Sequence, residues 1–151
     1  MEVLSLQWQE RFMNLAQSVA SWSKDPNAQV GAVLISPDRT RISYGFNGFP
    51  RGIRDDDRLD DGAQKNQLMV HAELNAILNA QTSLAGWHLF VNKPCCHECA
   101  KAVIQAGILH VYFPVHHTLN PDDFLRWSKW SASQELAMSL LREADVHIYQ
   151  V

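Results

Sequence analysis

Two short runs hold the side chains whose types and spacing could do chemistry: His71-Ala72-Glu73 and Cys95-Cys96-His97-Glu98-Cys99. Zn²⁺ takes nitrogen and thiolate ligands tetrahedrally, and catalytic sites keep three protein ligands with a fourth position open to water. His71, Cys96 and Cys99 supply three such ligands. Glu73 lies two residues from the histidine, where it can act on that water without binding the metal. Cys96 and Cys99 stand at i and i+3, neighbours on one face if a helix opens here. The first turn of a helix presents unpaired N–H groups and the positive dipole end, a field that favours thiolate over thiol. If His71 and Glu73 open a helix as well, two helix starts converge on one ion. The thiol pair taken alone also reads as a redox pair or as half of a structural zinc knuckle, with Cys95 or His97 as further ligand. Glu73 favours catalysis, since a structural site has no use for a base.

The elements that must position these residues follow from periodicity. Residues 6–22 read as an amphipathic helix, with Trp8, Phe12, Leu15 and Val19 on one stripe. Trp22 is expected to pack in the core. Residues 30–35 form an apolar run fit for a strand buried on both faces, and residues 41–46 form a second strand after a short turn, hence an antiparallel pair. Residues 48–66 read as a long polar loop holding Arg51, Arg54 and Arg58 among five aspartates. Such loops are uncommon in compact domains and often functional. The loop reads equally as solvated charge that neutralises itself or as a phosphate grip, since Arg donates bidentately to phosphate oxygens.

Residues 68–81 are expected to form the helix that carries His71 and Glu73, with Leu74, Ile77 and Leu78 buried. A strand over 87–91 leads to the cysteines. A helix over 96–106, with Gly107 as its cap, leads to a strand over 108–113. This strand–helix–strand unit implies a parallel pair. Asn120-Pro121-Asp122-Asp123 is a helix-start signature. A helix over 133–144 with Leu136, Leu140 and Ala144 on one face, and a last strand over 146–149, complete the chain. Trp127 and Trp130 read as packing residues, with an oligomer contact as second reading. His88, His110 and His147 fall in strands and read as satisfied residues. His97 should point away from the thiol face, and His116-His117 could touch a substrate. The order predicts an α/β fold: a three-layer α/β/α sandwich around a five-stranded mixed sheet.

At 151 residues, 46% of them apolar, the chain is long enough for one domain with a substantial core. No apolar run approaches the ~20 residues that span a bilayer, and the first residues do not read as a signal peptide. All three cysteines fall within residues 95–99, too close to staple distant parts of the fold. That clustering points to metal chemistry in a reducing compartment, hence the cytoplasm. A net charge of −3 without a basic stripe favours a small substrate over a nucleic-acid polymer.

His-x-Glu followed by Pro-Cys-x-x-Cys is the signature of the zinc nucleobase deaminases. The chain resembles the deoxycytidylate (dCMP) deaminases of the cytidine deaminase-like superfamily. The resemblance runs through residues 23–32 (SKDPNAQVGA), 45–52 (GFNGFPRG), 71–77 (HAELNAI), 96–101 (CHECAK) and 105–108 (QAGI), and spans roughly residues 7–115. H-A-E with C-x-x-C identifies the superfamily; G-F-N-G-F-P and H-A-E-L-N-A-I narrow it. One departure stands out: the family places proline directly before the first zinc cysteine, whereas here Cys95 takes that place and Pro94 comes one residue earlier. Cys96 is expected to be the ligand and Cys95 a buried residue or spare thiol.

The resemblance implies one catalytic Zn²⁺ per chain and hydrolysis of dCMP to dUMP and ammonia, with Glu73 carrying protons and the backbone at Ala72 and Cys96 orienting the base. It implies that Gly45, Phe46, Asn47 and Gly48 help bind deoxynucleotides, in allosteric members as part of a triphosphate site. Asn47 would meet sugar or phosphate, and Lys24, Arg51 and Arg54 would neutralise phosphate. It further implies a homo-oligomer (dimer or hexamer), dCTP and dTTP as effectors, and Mg²⁺ accompanying a triphosphate. Two readings stay open beside it. One is a related deaminase acting on cytidine, guanine, dCTP or a modified deoxycytidine nucleotide. The other is a non-catalytic, zinc-stabilised nucleotide-binding module.

Overall fold

The computed structural model describes residues 3–114 and 121–151, with the backbone alone over 121–130. Helix α1 (Leu6–Ala20) precedes β1 (Gly31–Ile35) and β2 (Ile42–Phe46). A 3-10 turn (Asp57–Asp60) and α2 (Gly62–Leu68) lead to α3 (Ala72–Ala80). Then come β3 (His88–Val91), α4 (His97–Gln105), β4 (His110–Phe113), α5 (Pro121–Glu143) and β5 (His147–Gln150). The five strands form one sheet in the order β2-β1-β3-β4-β5. β1 is antiparallel to both β2 and β3, while β3, β4 and β5 run parallel.

The sheet's two faces fill differently. Val33, Ile35, Phe90 and Tyr112 pack under α1 through Phe12, Met13, Ala16 and Val19. Ala32, Leu34, Leu89, Val91, Val111 and Phe113 face the other layer, where Ala72 and Ala76 of α3, Ala100 and Val103 of α4, and Ala137 and Leu141 of α5 close over them. The expected three-layer sandwich with a mixed sheet is what forms.

Local expectations fare unevenly. The region 48–66 is not a continuous loop. Its aspartates build structure: Asp56 accepts from Arg58 N at 3.1 Å, and Asp61 caps α2 by accepting from Ala63 N and Gln64 N at 3.1 and 3.2 Å. The site helix begins at Ala72 rather than residue 68, because Val70 is held extended by two backbone hydrogen bonds with Gly48. The expected stripe on α3 is also displaced. Leu74 and Leu78 are 37% and 62% exposed, and the buried face is Ala72, Glu73 and Ala76. The cause is close packing on β2, where Gly45 lies against the backbone of Ala72 and Ala76.

Likewise α5 buries Ala137 and Leu141 rather than Leu136, which is exposed. On α1, Leu15 is exposed and Ala16 takes its place. Trp22 is exposed and meets Tyr44 and Phe46 edge-on instead of entering the core. Asn120, His116 and His117, and the side chains of Trp127 and Trp130, lie outside the described residues.

The strand histidines form a ladder. His88, His110 and His147 lie in register across β3, β4 and β5, with stacked rings 4.3 and 5.3 Å apart. His88 Nδ1 lies 3.0 Å from the Tyr112 hydroxyl. Burial, with help from His110 and Arg39, pushes His88 down from 6.5 to about 4. The unfolded chain therefore takes up this proton first, and stability falls as pH drops from about 6.5 toward about 4. Thermal melts across that window should show the fall, and His88→Leu should flatten it; parallel profiles for the two proteins would refute this. At Gly45 a Cβ would run into the α3 backbone. Overpacking of this kind costs about 1–3 kcal/mol, so Gly45→Ala should lower Tm by roughly 5 °C, and an unchanged Tm would contradict the packing assigned here.

Candidate metal centre and active site

The site is assembled at two helix starts. His71 is the N-cap of α3 and Cys96 the N-cap of α4, both with extended backbone. An N-cap side chain ordinarily accepts a hydrogen bond from its own first turn. Neither of these does so; their heads turn toward each other. Cys96 Sγ lies 3.4 Å and Cys99 Sγ 3.3 Å from His71 Nδ1, and all three ligand atoms lie within 4.8 Å of one another. With Zn–N of about 2.0–2.1 Å and Zn–S of about 2.3 Å, a tetrahedral N···S edge is about 3.6 Å. The three atoms therefore fit a zinc ion. Among the described residues this is the one group of His, Cys, Asp or Glu that converges so closely. Mg²⁺ demands oxygen ligands and finds none in this group.

Electrostatics agree with the fit. The Cys96 thiol is pushed down to about 4 by the hydrogen bond from Cys99, with His71 assisting. Cys99 is pushed up in turn, chiefly by that same bond to Cys96 and then by burial. His71 is raised, first through its bond to Cys96. The half-buried Cys96 and buried Cys99 thiols thus shift in opposite directions; a cation between them would let both ionise. Glu73, 4% exposed, sits in the first turn of α3 with its carboxyl pushed up by burial. That suits a group that must take and return a proton near neutral pH.

Cys95 is 1% exposed and packs in the core, where burial raises its thiol. It is not part of the converging group, so the register that begins with Cys96 is the one the structure adopts. His97 meets α5: its Nδ1 lies 2.7 Å from Ser133 Oγ, and that oxygen accepts from His97 N at 3.1 Å.

The residues expected on the nucleotide side are more dispersed. Asn47 is buried, with Oδ1 accepting from Val30 N at 2.9 Å and Nδ2 donating to Ala28 O at 2.8 Å. It ties β2 to the segment before β1. Lys24 is exposed and pairs with Asp55 at 2.8 Å. Arg51 donates to Asn79 Oδ1 at 3.2 Å, about 12 Å along α3 from His71. The Arg54 carbonyl accepts from Arg58 at 3.2 Å. Gly45 packs on α3, Phe46 is half-buried, and Gly48 pairs with Val70. Sequence reasoning missed the buried pair Asp25–Lys65, at 3.0 Å. Asp25-Pro26 is locally a turn signal, and Lys65 stands in a polar stretch. Nothing local signals a contact across 40 residues.

Residues 6–115 match the family model for the cytidine and deoxycytidylate deaminase zinc-binding region. An uncharacterized deaminase from the luxG 3′ region of Aliivibrio fischeri is 39% identical over 93% of this chain and 91% of its own length. The Homo sapiens deoxycytidylate deaminase is 42% identical over 72% of this chain and 65% of that protein, so the chain spans just under two thirds of it. The dCMP deaminase of cyanophage S-TIM5, solved in complex with dCMP and dUMP, superimposes with a TM-score of 0.76 at 24% identity, over 99% of this chain and 100% of that one. This last likeness establishes the fold. Among the described residues no helix is long and apolar enough to cross a membrane.

Elemental analysis of two cysteine variants tests the ligand set. Cys96→Ala should lose zinc and Cys95→Ala should retain it; the reverse pattern would mean that Cys95 is the ligand.

Proposed function

Because the chain belongs to the cytidine and deoxycytidylate deaminase zinc-binding family, we propose that it hydrolyses dCMP to dUMP and ammonia. The observation that carries this is the convergence of His71, Cys96 and Cys99 on one point with the buried Glu73 beside them. The chemistry supports a deaminase over a zinc-stabilised binding module, since a structural site has no use for a buried, protonatable carboxyl. The choice of dCMP rests on likeness to deoxycytidylate deaminases such as the human protein.

His71, Cys96 and Cys99 hold the metal. When bound, Zn²⁺ supplies the Lewis acidity that brings the pKa of water from ~16 toward ~7. Glu73 accepts a proton from the attacking water and delivers it to ring N3 while the oxygen adds to C4. Glu73 then takes the second proton from that oxygen and passes it to the amino group. The C4–N bond breaks, ammonia leaves, and C4 becomes the carbonyl of uracil. One carboxyl serves both transfers because burial raises its pKa and its place on the first turn of α3 holds it still. The start of α3 at Ala72 and of α4 after Cys96 present backbone N–H groups to the base.

On the nucleotide side, Lys24 and Arg54 are exposed cations, Lys24 within the Ser23–Gln29 loop, and Arg51 would have to leave Asn79 to reach a phosphate. A homo-oligomer, with dCTP activating and dTTP inhibiting through Gly45–Gly48 and with Mg²⁺ carried by the triphosphate, completes the proposal.

An ammonia-release assay on dCMP, deoxycytidine, CMP and dCTP tests it. dCMP should be the best substrate, and equal efficiency on deoxycytidine would overturn the monophosphate reading. Glu73→Gln should keep its zinc yet lose about 10²–10⁴ in kcat; near-normal turnover in that variant would remove Glu73 from the chemistry.

A further inference from the structure

Between Gly48 and Val70 the chain makes an excursion from the sheet and returns one residue before His71. Its neck is the pair of backbone hydrogen bonds linking Gly48 and Val70, at 2.8 and 3.1 Å. Within its 3-10 turn and α2, Lys65 is the one buried residue. A segment of this length would ordinarily dock through apolar side chains. This one docks through a cation.

The partner of Lys65 is Asp25, and the side chains of the pair are 9% and 5% exposed. Asp25 Oδ1 also accepts from Asn27 N at 2.8 Å and Ala28 N at 3.1 Å. The network continues into Asn47, whose Nδ2 lies 3.5 Å from Asp25 Oδ2 and whose carbonyl accepts from Ser23 Oγ at 2.9 Å. The adjacent Lys24 reaches the same excursion through Asp55. Two consecutive residues of one loop thus hold the far lobe, one pair buried and one exposed. The exposed pair is worth little on its own.

A buried ion pair is a poor stabiliser, because desolvation offsets the attraction, and an apolar pair of similar volume often does as well or better. What the ion pair supplies is direction. Nζ is satisfied at one carboxylate, so α2 docks in one register, whereas an apolar contact would tolerate sliding. The antiparallel pairing of β1 with β2 and β3 puts this network at the same end of the sheet as the cysteines, since Gly31 pairs with Phe46 and Ala32 with Val91.

We propose that the Asp25–Lys65 pair is a latch that positions the Gly48–Val70 excursion against the Ser23–Gln29 loop and thereby sets affinity for the deoxynucleotide monophosphate, leaving the chemical step alone. This rests on the dCMP reading above. Asp25 and Lys65 are positioning residues: they act through the lobe and the loop that flank the metal site.

The test separates position from stability. Lys65→Met alone leaves a buried carboxylate unpaired and should lower Tm. Asp25→Asn/Lys65→Met removes both charges and keeps an acceptor for Asn27 N and Ala28 N, so Tm should recover to near the parent value with zinc content unchanged. In that double variant KM for dCMP should still be raised about tenfold, with kcat within about threefold of the parent. Amide exchange over residues 48–70 should be faster than in the parent. A double variant with parental KM, or one that loses kcat with KM unchanged, overturns the proposal. So does unaltered exchange over 48–70, whatever the kinetics. Should the parent itself turn over no deoxynucleotide, the dCMP reading fails, and the exchange measurement still decides whether the latch exists.

Discussion

Two sulfurs held 3.3–3.4 Å from one imidazole nitrogen, in a place largely closed to water, are the constraint from which the rest of this molecule follows. Left alone, the thiols can carry one negative charge between them, which is why Cys96 and Cys99 shift in opposite directions. A zinc ion would relieve that conflict, and the chain forgoes ordinary helix capping at the two positions that would hold it. A serine or aspartate at residue 71 or 96 would cap its helix better. A histidine and a cysteine stand there instead, with their side chains turned inward.

That inward turn demands close packing around it. Glu73 can be buried beside the ligands because α3 lies almost directly on β2, with Gly45 and two alanines in the contact. The same closeness pushes the larger leucines of α3 outward. The long apolar residues that usually drive a helix onto a sheet are therefore not the ones that seat this helix. A mixed sheet does the remaining placement. The parallel pair β3–β4 delivers Cys96 at a strand's C-terminal end, where open α/β sheets form their sites. The antiparallel turn-back of β1 and β2 carries Asn47 and the Ser23–Gln29 loop to that end. The histidine ladder, by contrast, occupies the start of the parallel strands, away from the metal site. Its pH sensitivity belongs to folding rather than to turnover.

That His71, Glu73, Cys96 and Cys99 could meet was legible from spacing because metal chemistry admits few residue types and helix geometry admits few separations. The strands were legible too, as short apolar runs bounded by turn residues. Less legible was everything decided by a neighbour distant in sequence. The caps made by Asp56 and Asp61 are local, to N–H groups two or three residues on, yet the composition of 55–61 is equally that of a solvated loop. Leu74 and Leu78 fit a buried stripe by periodicity, but periodicity cannot report that a glycine on another element admits a closer contact on the adjacent face. Cys95 and Cys96 are chemically the same residue type, and the choice between them depends on how the strand before them is registered.

By itself, then, the order of residues determined which histidine, cysteines and glutamate could converge, up to that one-residue ambiguity, and the succession of strands and helices, because each is a matter of local spacing. Only the tertiary structure decided which cysteine faces the histidine, which face of α3 is covered, and that a lysine within a polar stretch is a buried partner of Asp25. Those outcomes depend on volumes excluded and charges met across tens of residues. No window of sequence contains both halves of such a contact.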